Sequence, residues 1–159
     1  MNATVPFERR SFGDIIEAIR RIFPIEGGPE FVLTPDSICH YLTLGGVDRV
    51  WQRIPGWESY EWGTHDISEG EFGTLLFSPR RPASDETILA VTDECFVGGG
   101  QRGFALRFGD LLPFASEVYP NLFARPVAFF QPFDMIFVAE ESKLLIMLQH
   151  EGWQAQYAV

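Results

Sequence analysis

The chain predicts an α+β domain in which a mainly antiparallel β-sheet, contributed by the second half, packs with three to four short helices. Apolar residues recur at helical spacing through the first third. From Phe72 onward the period changes to runs rich in β-branched and aromatic residues. Pro and Gly turns separate the segments throughout. A length of 159 residues fits one domain spanning 1–159, without internal repeat, low-complexity tract or linker.

The first helix is expected over residues 11–23. Phe12, Ile15, Ile16, Ile19, Ile22 and Phe23 share the helical period, Ser11 with Asp14 resembles a capping box, and Pro24 ends the segment. Gly27, Gly28 and Pro29 then turn the chain into a short apolar run at 31–33. Thr34, Pro35 and Asp36 combine a cap, a first-turn proline and an acid near the positive helix end, predicting a helix over 35–44 that Gly45 and Gly46 stop. Val47, Val50, Trp51 and Ile54 repeat the helical spacing and predict a third helix over 47–54, closed by Pro55 and Gly56. Strands are expected at 72–77, 87–97 and 103–108, and a further helix at 110–119, capped by Asp110 with Pro113 in its first turn. The tail returns to strand at 126–130, 133–139, 143–150 and 153–157. Glu140, Glu141 and Ser142 form one hairpin loop and Glu151 with Gly152 another, so the last strands read as an antiparallel meander.

Composition narrows the function classes. A hydrophobic fraction of 46% with 15 Phe and 4 Trp supplies a sizeable core, and 21% charged residues argues against disorder. A formal net charge of −10 repels nucleic-acid phosphates and anionic membranes and attracts cationic surfaces. The basic residues are almost all Arg, with Lys143 the lone lysine, which suits bidentate pairing with carboxylates. Cys39 and Cys95 form no disulfide scaffold and no metal-ligand spacing. Residues 1–13 hold no apolar run of signal-peptide length and no segment is long enough to span a bilayer, so a cytoplasmic protein is expected.

Gly98, Gly100 and Gly103 satisfy the literal G-x-G-x-x-G pattern, but Phe104 to Phe108 looks extended where a dinucleotide fingerprint needs a helix, and a plain hairpin loop is the simpler reading. His40, His65 and His150 are far apart, and none belongs to a metal-binding spacing, although His65 and Asp66 with Glu69 or Glu71 can begin one. Adjacent helical residues do not face each other, which weakens a Cys39/His40 dyad. Asp93, Glu94, Glu117, Asp134, Glu140 and Glu141 are available as catalytic acids, yet no nucleophile elbow accompanies them and solvated loops explain them as well. The segments flanking Gly45 and Gly46 imitate a helix-turn-helix, but Arg49 and Arg53 are too little positive charge to hold phosphates. No catalytic residue, cofactor or metal is therefore assigned.

The strongest local signal is an acidic, aromatic-laced stretch over residues 57–72. Glu58, Glu61, Asp66, Glu69 and Glu71 lie beside Trp57, Tyr60 and Trp62, without a Lys or Arg between Arg53 and Arg80. Aromatic bodies bury area at low entropic cost, carboxylates pair with Arg and Lys of a partner, and clustered charge steers encounter. The alternative is a solvated loop whose tryptophans tuck into the core.

A small, acidic single domain of this composition resembles the immunity proteins that accompany polymorphic or contact-dependent bacterial toxins. Leu33 to Asp36, the apolar helix after them and Leu44-Gly45-Gly46 are similar to the helix signature of a large immunity superfamily named for a yeast cell-wall regulator. The resemblance implies tight inhibition of a cognate, basic toxin domain without catalysis. Glu58, Glu61, Asp66, Glu69 and Glu71 would then occupy its cationic cleft, with Trp57 and Trp62 as anchors. The competing class is a small enzyme or ligand-binding module whose pocket uses His40, His65 or His150, and a third is a scaffold subunit self-associating through the Phe-rich tail.

Overall fold

The structure is a computed structural model that describes residues 5–47, 51–53, 80–92, 95, 100–111, 113–114, 135–149 and 153–159. Among these residues the chain is α+β. Two α-helices, α1 (Phe12–Ile22) and α2 (Pro35–Leu44), accompany seven strands: β1 (Glu8–Ser11), β2 (Gln52–Arg53), β3 (Thr87–Val91), β4 (Arg102–Arg107), β5 (Met135–Ala139), β6 (Leu144–Gln149) and β7 (Trp153–Ala158). They form one sheet of order β1-β4-β3-β5-β6-β7-β2, with every neighbouring pair antiparallel.

Both helix starts follow from their cap residues. The Ser11 hydroxyl accepts from the Asp14 amide at 3.1 Å, and the Thr34 hydroxyl accepts from the Ser37 amide at 3.3 Å with Pro35 in the first turn. At the end of α2 the amides of Gly45 and Gly46 return to Leu42 and Thr43, Gly46 takes a positive φ of 78°, and the Val47 amide closes back on the Leu42 carbonyl at 3.0 Å.

The helix expected over 47–54 is corrected where it is described, residues 48–50 and 54 lying outside the described residues. Gln52 and Arg53 are a strand paired with Gln154 and Trp153, and the Arg53 guanidinium lies 5.7 Å from the Trp153 ring centroid. Helical spacing of apolar residues does not exclude a strand over so short a stretch, and at Gln52 and Arg53 cross-strand pairing decides. The described residues thus hold two α-helices rather than three to four. Of the segment expected over 110–119, a 3₁₀ turn at Phe108–Asp110 and the helical residues Leu111, Pro113 and Phe114 are described. The sheet is also not built by the second half alone, since β1 and β2 at its two edges come from the first. The strand expected over 87–97 stops at Val91; beyond it, Cys95 donates its amide to the Thr92 carbonyl.

Directly paired strand residues share a sheet face. One row therefore runs across a single face as Glu8, Ala105, Leu89, Val138, Leu145 and Tyr157. The helices lie on this face, because Ile15 meets Gly103 of β4 and Phe23 meets Tyr157 of β7. Ile15, Ala18, Ile19 and Ile22 of α1 and Ile38, Cys39, Tyr41 and Leu42 of α2 are buried there, each large apolar side chain contributing about 1.5–3 kcal/mol. The opposite face carries Phe104, Ala90, Phe137 and Ile146, also buried, with Phe7 and Phe114 packed on Phe104. Two-sided burial explains why β5 and β6 read as continuous apolar runs rather than alternating ones.

Candidate functional site

The face of α1 turned away from the core carries Asp14, Glu17 and Arg21, spaced three and four residues apart and so neighbours along one side of the helix. The exposed edge strand β1 contributes Arg10, β3 contributes Thr87 and Leu89, β5 contributes Val138, and the turn after β5 bears Glu140 and Glu141. Together they line an open cleft of about 640 Å³. A second cleft of about 550 Å³, bounded by Pro6, Phe7, Glu8, Arg107 and Asp110, shares Arg10 and Thr87 with it, so the two meet. Among the described residues this trough gathers six acidic and three basic side chains in one concave surface.

The wall formed by the β5–β6 turn is pinned from both sides. Arg21 grips Glu140 through Nε at 2.8 Å and Nη2 at 2.9 Å, a two-pronged charge-assisted contact. The hydrogen bond raises the Arg21 pKa above its ordinary value and lowers that of Glu140. Behind the turn, the Ser142 amide donates to Glu86 Oε1 at 2.8 Å, the Ser142 hydroxyl donates to Glu86 Oε2, and Arg80 donates to the Ser142 carbonyl at 2.8 Å. Glu86 is 3% exposed, so these donors replace the water that a buried carboxylate forfeits. The turn closes with Lys143 donating to the Glu140 carbonyl at 3.1 Å while Lys143 takes a left-handed φ of 53°, as in a four-residue hairpin loop.

Charge in the trough divides into paired and unpaired groups. Arg10 faces Glu8 at 3.4 Å, Arg21 holds Glu140, and Arg107 bonds Asp110 at 3.1 Å. Asp14, Glu17 and Glu141, all three exposed and lining the same cleft, make no ion pair among the described residues, although Asp14 and Glu17 lie near enough to Arg21 to help raise its pKa. Such a surface attracts cations. His40 lies exposed on α2 and is not among the described lining residues, and Cys39 and Cys95 are buried. Cys39 Sγ sits 3.6 Å from the Tyr157 hydroxyl, and Cys95 Sγ accepts the Thr92 amide at 3.4 Å, so both thiols serve the interior. Among the described residues there is no group of three or more His, Cys, Asp or Glu able to hold a metal.

Trp57, Glu58, Tyr60, Glu61, Trp62, Asp66, Glu69 and Glu71 lie outside the described residues, as do His65 and His150. Of the glycine pattern, Gly98 also lies outside, and Gly103 is an interior residue of β4 where a dinucleotide site requires a helix. A Cβ on Gly103 would meet Ile15 Cδ1 at 2.5 Å and the Ala90 carbonyl oxygen at 2.8 Å, so this glycine serves helix-on-sheet packing. The trough itself escaped sequence reasoning. Asp14 read as a helix-start acid and Glu140 with Glu141 as solvated loop residues; the only available signal was the charged i, i+3, i+7 side of α1, which any surface helix shows.

No family model, curated protein or solved structure matches the chain. Among the described residues no helix is long and apolar enough to cross a membrane.

Proposed function

We propose that this protein is a cytoplasmic inhibitory binder of the immunity type, which neutralises a basic toxin domain by presenting carboxylates to its cationic cleft. The observation carrying this reading is the charge distribution: a net charge of −10, with five acids over residues 57–72 and no Lys or Arg between Arg53 and Arg80. Three carboxylates of α1 and the β5–β6 turn, which make no ion pair among the described residues, add to the same sign of field. Electrostatic complementarity of this kind accelerates encounter with a cationic partner and disfavours phosphate-bearing ones.

The test is co-expression with the basic C-terminal domain of a toxin encoded beside this gene. Host growth is restored by the wild-type chain and is lost with the Glu61→Lys, Glu69→Lys double variant, while high salt weakens the purified complex. Rescue undiminished by the double variant overturns the proposal.

One observation favours a second reading, a small-ligand module: the cleft of about 640 Å³ falls within the size range of small-molecule sites. Its lining is largely charged, however, whereas such sites are predominantly apolar. A ligand that co-purifies with the protein and raises its melting temperature would favour this second reading.

A further inference from the structure

We infer that the trough beside α1 is a docking groove for an extended, arginine- or lysine-bearing segment of a protein partner. Its floor is the uncovered part of the helix-bearing face, where Thr87 is exposed and Leu89 half-buried, and such a floor accommodates the aliphatic stem of a long cationic side chain. The wall supplies the charge. Each of the three arginines of the trough already bonds a carboxylate, so among the described residues Asp14, Glu17 and Glu141 are acids in excess of the arginines, with Arg21 feeling two of them only at longer range. An incoming guanidinium or ammonium would complete these ion pairs, whereas an anionic ligand would have to displace an existing one. Two meeting clefts of about 640 and 550 Å³ offer the length of a short extended segment rather than one side chain. The turn that presents Glu141 is held by Glu86 and Arg21, so the groove is formed before a partner arrives, which lowers the ordering cost of binding.

This inference deepens the basic-partner reading, but it assigns contact to residues other than the acidic stretch, and the two are separable by experiment. The probe is a fluorescent, terminally capped peptide of alternating arginine and alanine, titrated by anisotropy into the full chain at low salt. Glu17→Lys with Glu141→Lys is expected to weaken binding about tenfold, the equivalent of two exposed pairs lost and two repulsions gained. The charge-matched control is Glu26→Lys with Glu30→Lys, exposed positions between α1 and α2, and should change it less than about threefold. Glu17→Gln with Glu141→Gln should give an intermediate loss with an unchanged melting curve.

Equal losses in the two lysine pairs would mean diffuse attraction and would overturn the groove, as would absence of binding to the wild type. If Glu61→Lys with Glu69→Lys abolishes peptide binding while the trough pair leaves it intact, the groove fails and the acidic-stretch reading stands. If the trough pair alone weakens the peptide and toxin rescue is never seen, the groove stands and the immunity reading fails.

Discussion

A single cross-sheet row passes through two different environments. At the β6–β7 end it carries Leu145 and Tyr157, buried beneath the helices, with Tyr157 against Phe23 and near the Cys39 thiol. At the β1 end it carries Glu8, exposed, with Ala105 and the half-buried Leu89 between. Strand geometry is the same at both ends. What differs among the described residues is the layer above, because α1 and α2 lay their apolar sides on one part of the face, while beyond α1 its charged side borders the sheet. The comparison teaches that an amphipathic helix does two jobs: its inner side closes a core and its outer side becomes the wall of the open region beside it.

The comparison breaks most readily at Gly103, where α1 meets β4. Gly103→Val would push a side chain into Ile15 and the Ala90 carbonyl, and the backbone oxygen cannot move aside like a flexible side-chain end. We expect a loss of about 3 kcal/mol in urea unfolding, the upper part of the usual overpacking range. A loss below about 1 kcal/mol would show that α1 rests loosely on the sheet.

Tyr41 sharpens the contrast within the covered region. Its hydroxyl donates to the Phe23 carbonyl at 2.8 Å with both residues buried, and its ring stacks at 4.5 Å from that of Phe31. Tyr41→Phe keeps the ring and orphans the carbonyl, so a loss of about 1–2 kcal/mol with an unchanged denaturant slope is expected. An equal stability for the variant would place water at that carbonyl.

The smallest effect belongs to the open region. Glu140 in the folded chain titrates below its ordinary value of 4.5 because Arg21 hydrogen-bonds its charged form. Its contribution is therefore present above pH 4.5 and is lost as pH falls through the folded value. Glu140→Gln should flatten the stability–pH profile in that acidic window and leave a small deficit at neutral pH, in keeping with a solvent-screened pair. Wild type and variant should converge at low pH; profiles that stay parallel throughout would remove the ion pair from the account.

Much of the first third was legible because its signals are local. A hydroxyl cap, a proline in the first turn and a glycine stop act within a few residues, and α1 and α2 begin and end close to where those residues put them. The hairpin loop at Glu140, Glu141 and Ser142 was legible for the same reason, and the structure extends it by one residue to Lys143. The strand at Gln52 and Arg53 was not legible, since the apolar spacing around it is compatible with two conformations and its pairing with β7 lies about a hundred residues away in sequence. The candidate trough was less legible still. Its acids come from a helix start and a hairpin turn over a hundred residues apart, and neither group looks unusual in isolation.

By itself the sequence determined the net charge of −10, the caps and stops of the helices and the final antiparallel strands, because each rests on composition or on neighbours along the chain. Only the tertiary structure decided that β1 and β2 form the sheet edges, that Gly103 seats α1, and that Glu17 and Glu141 line one cleft. The physical reason is that strand pairing and helix docking join residues remote in sequence, and their selection depends on burial and hydrogen bonding that no local window contains.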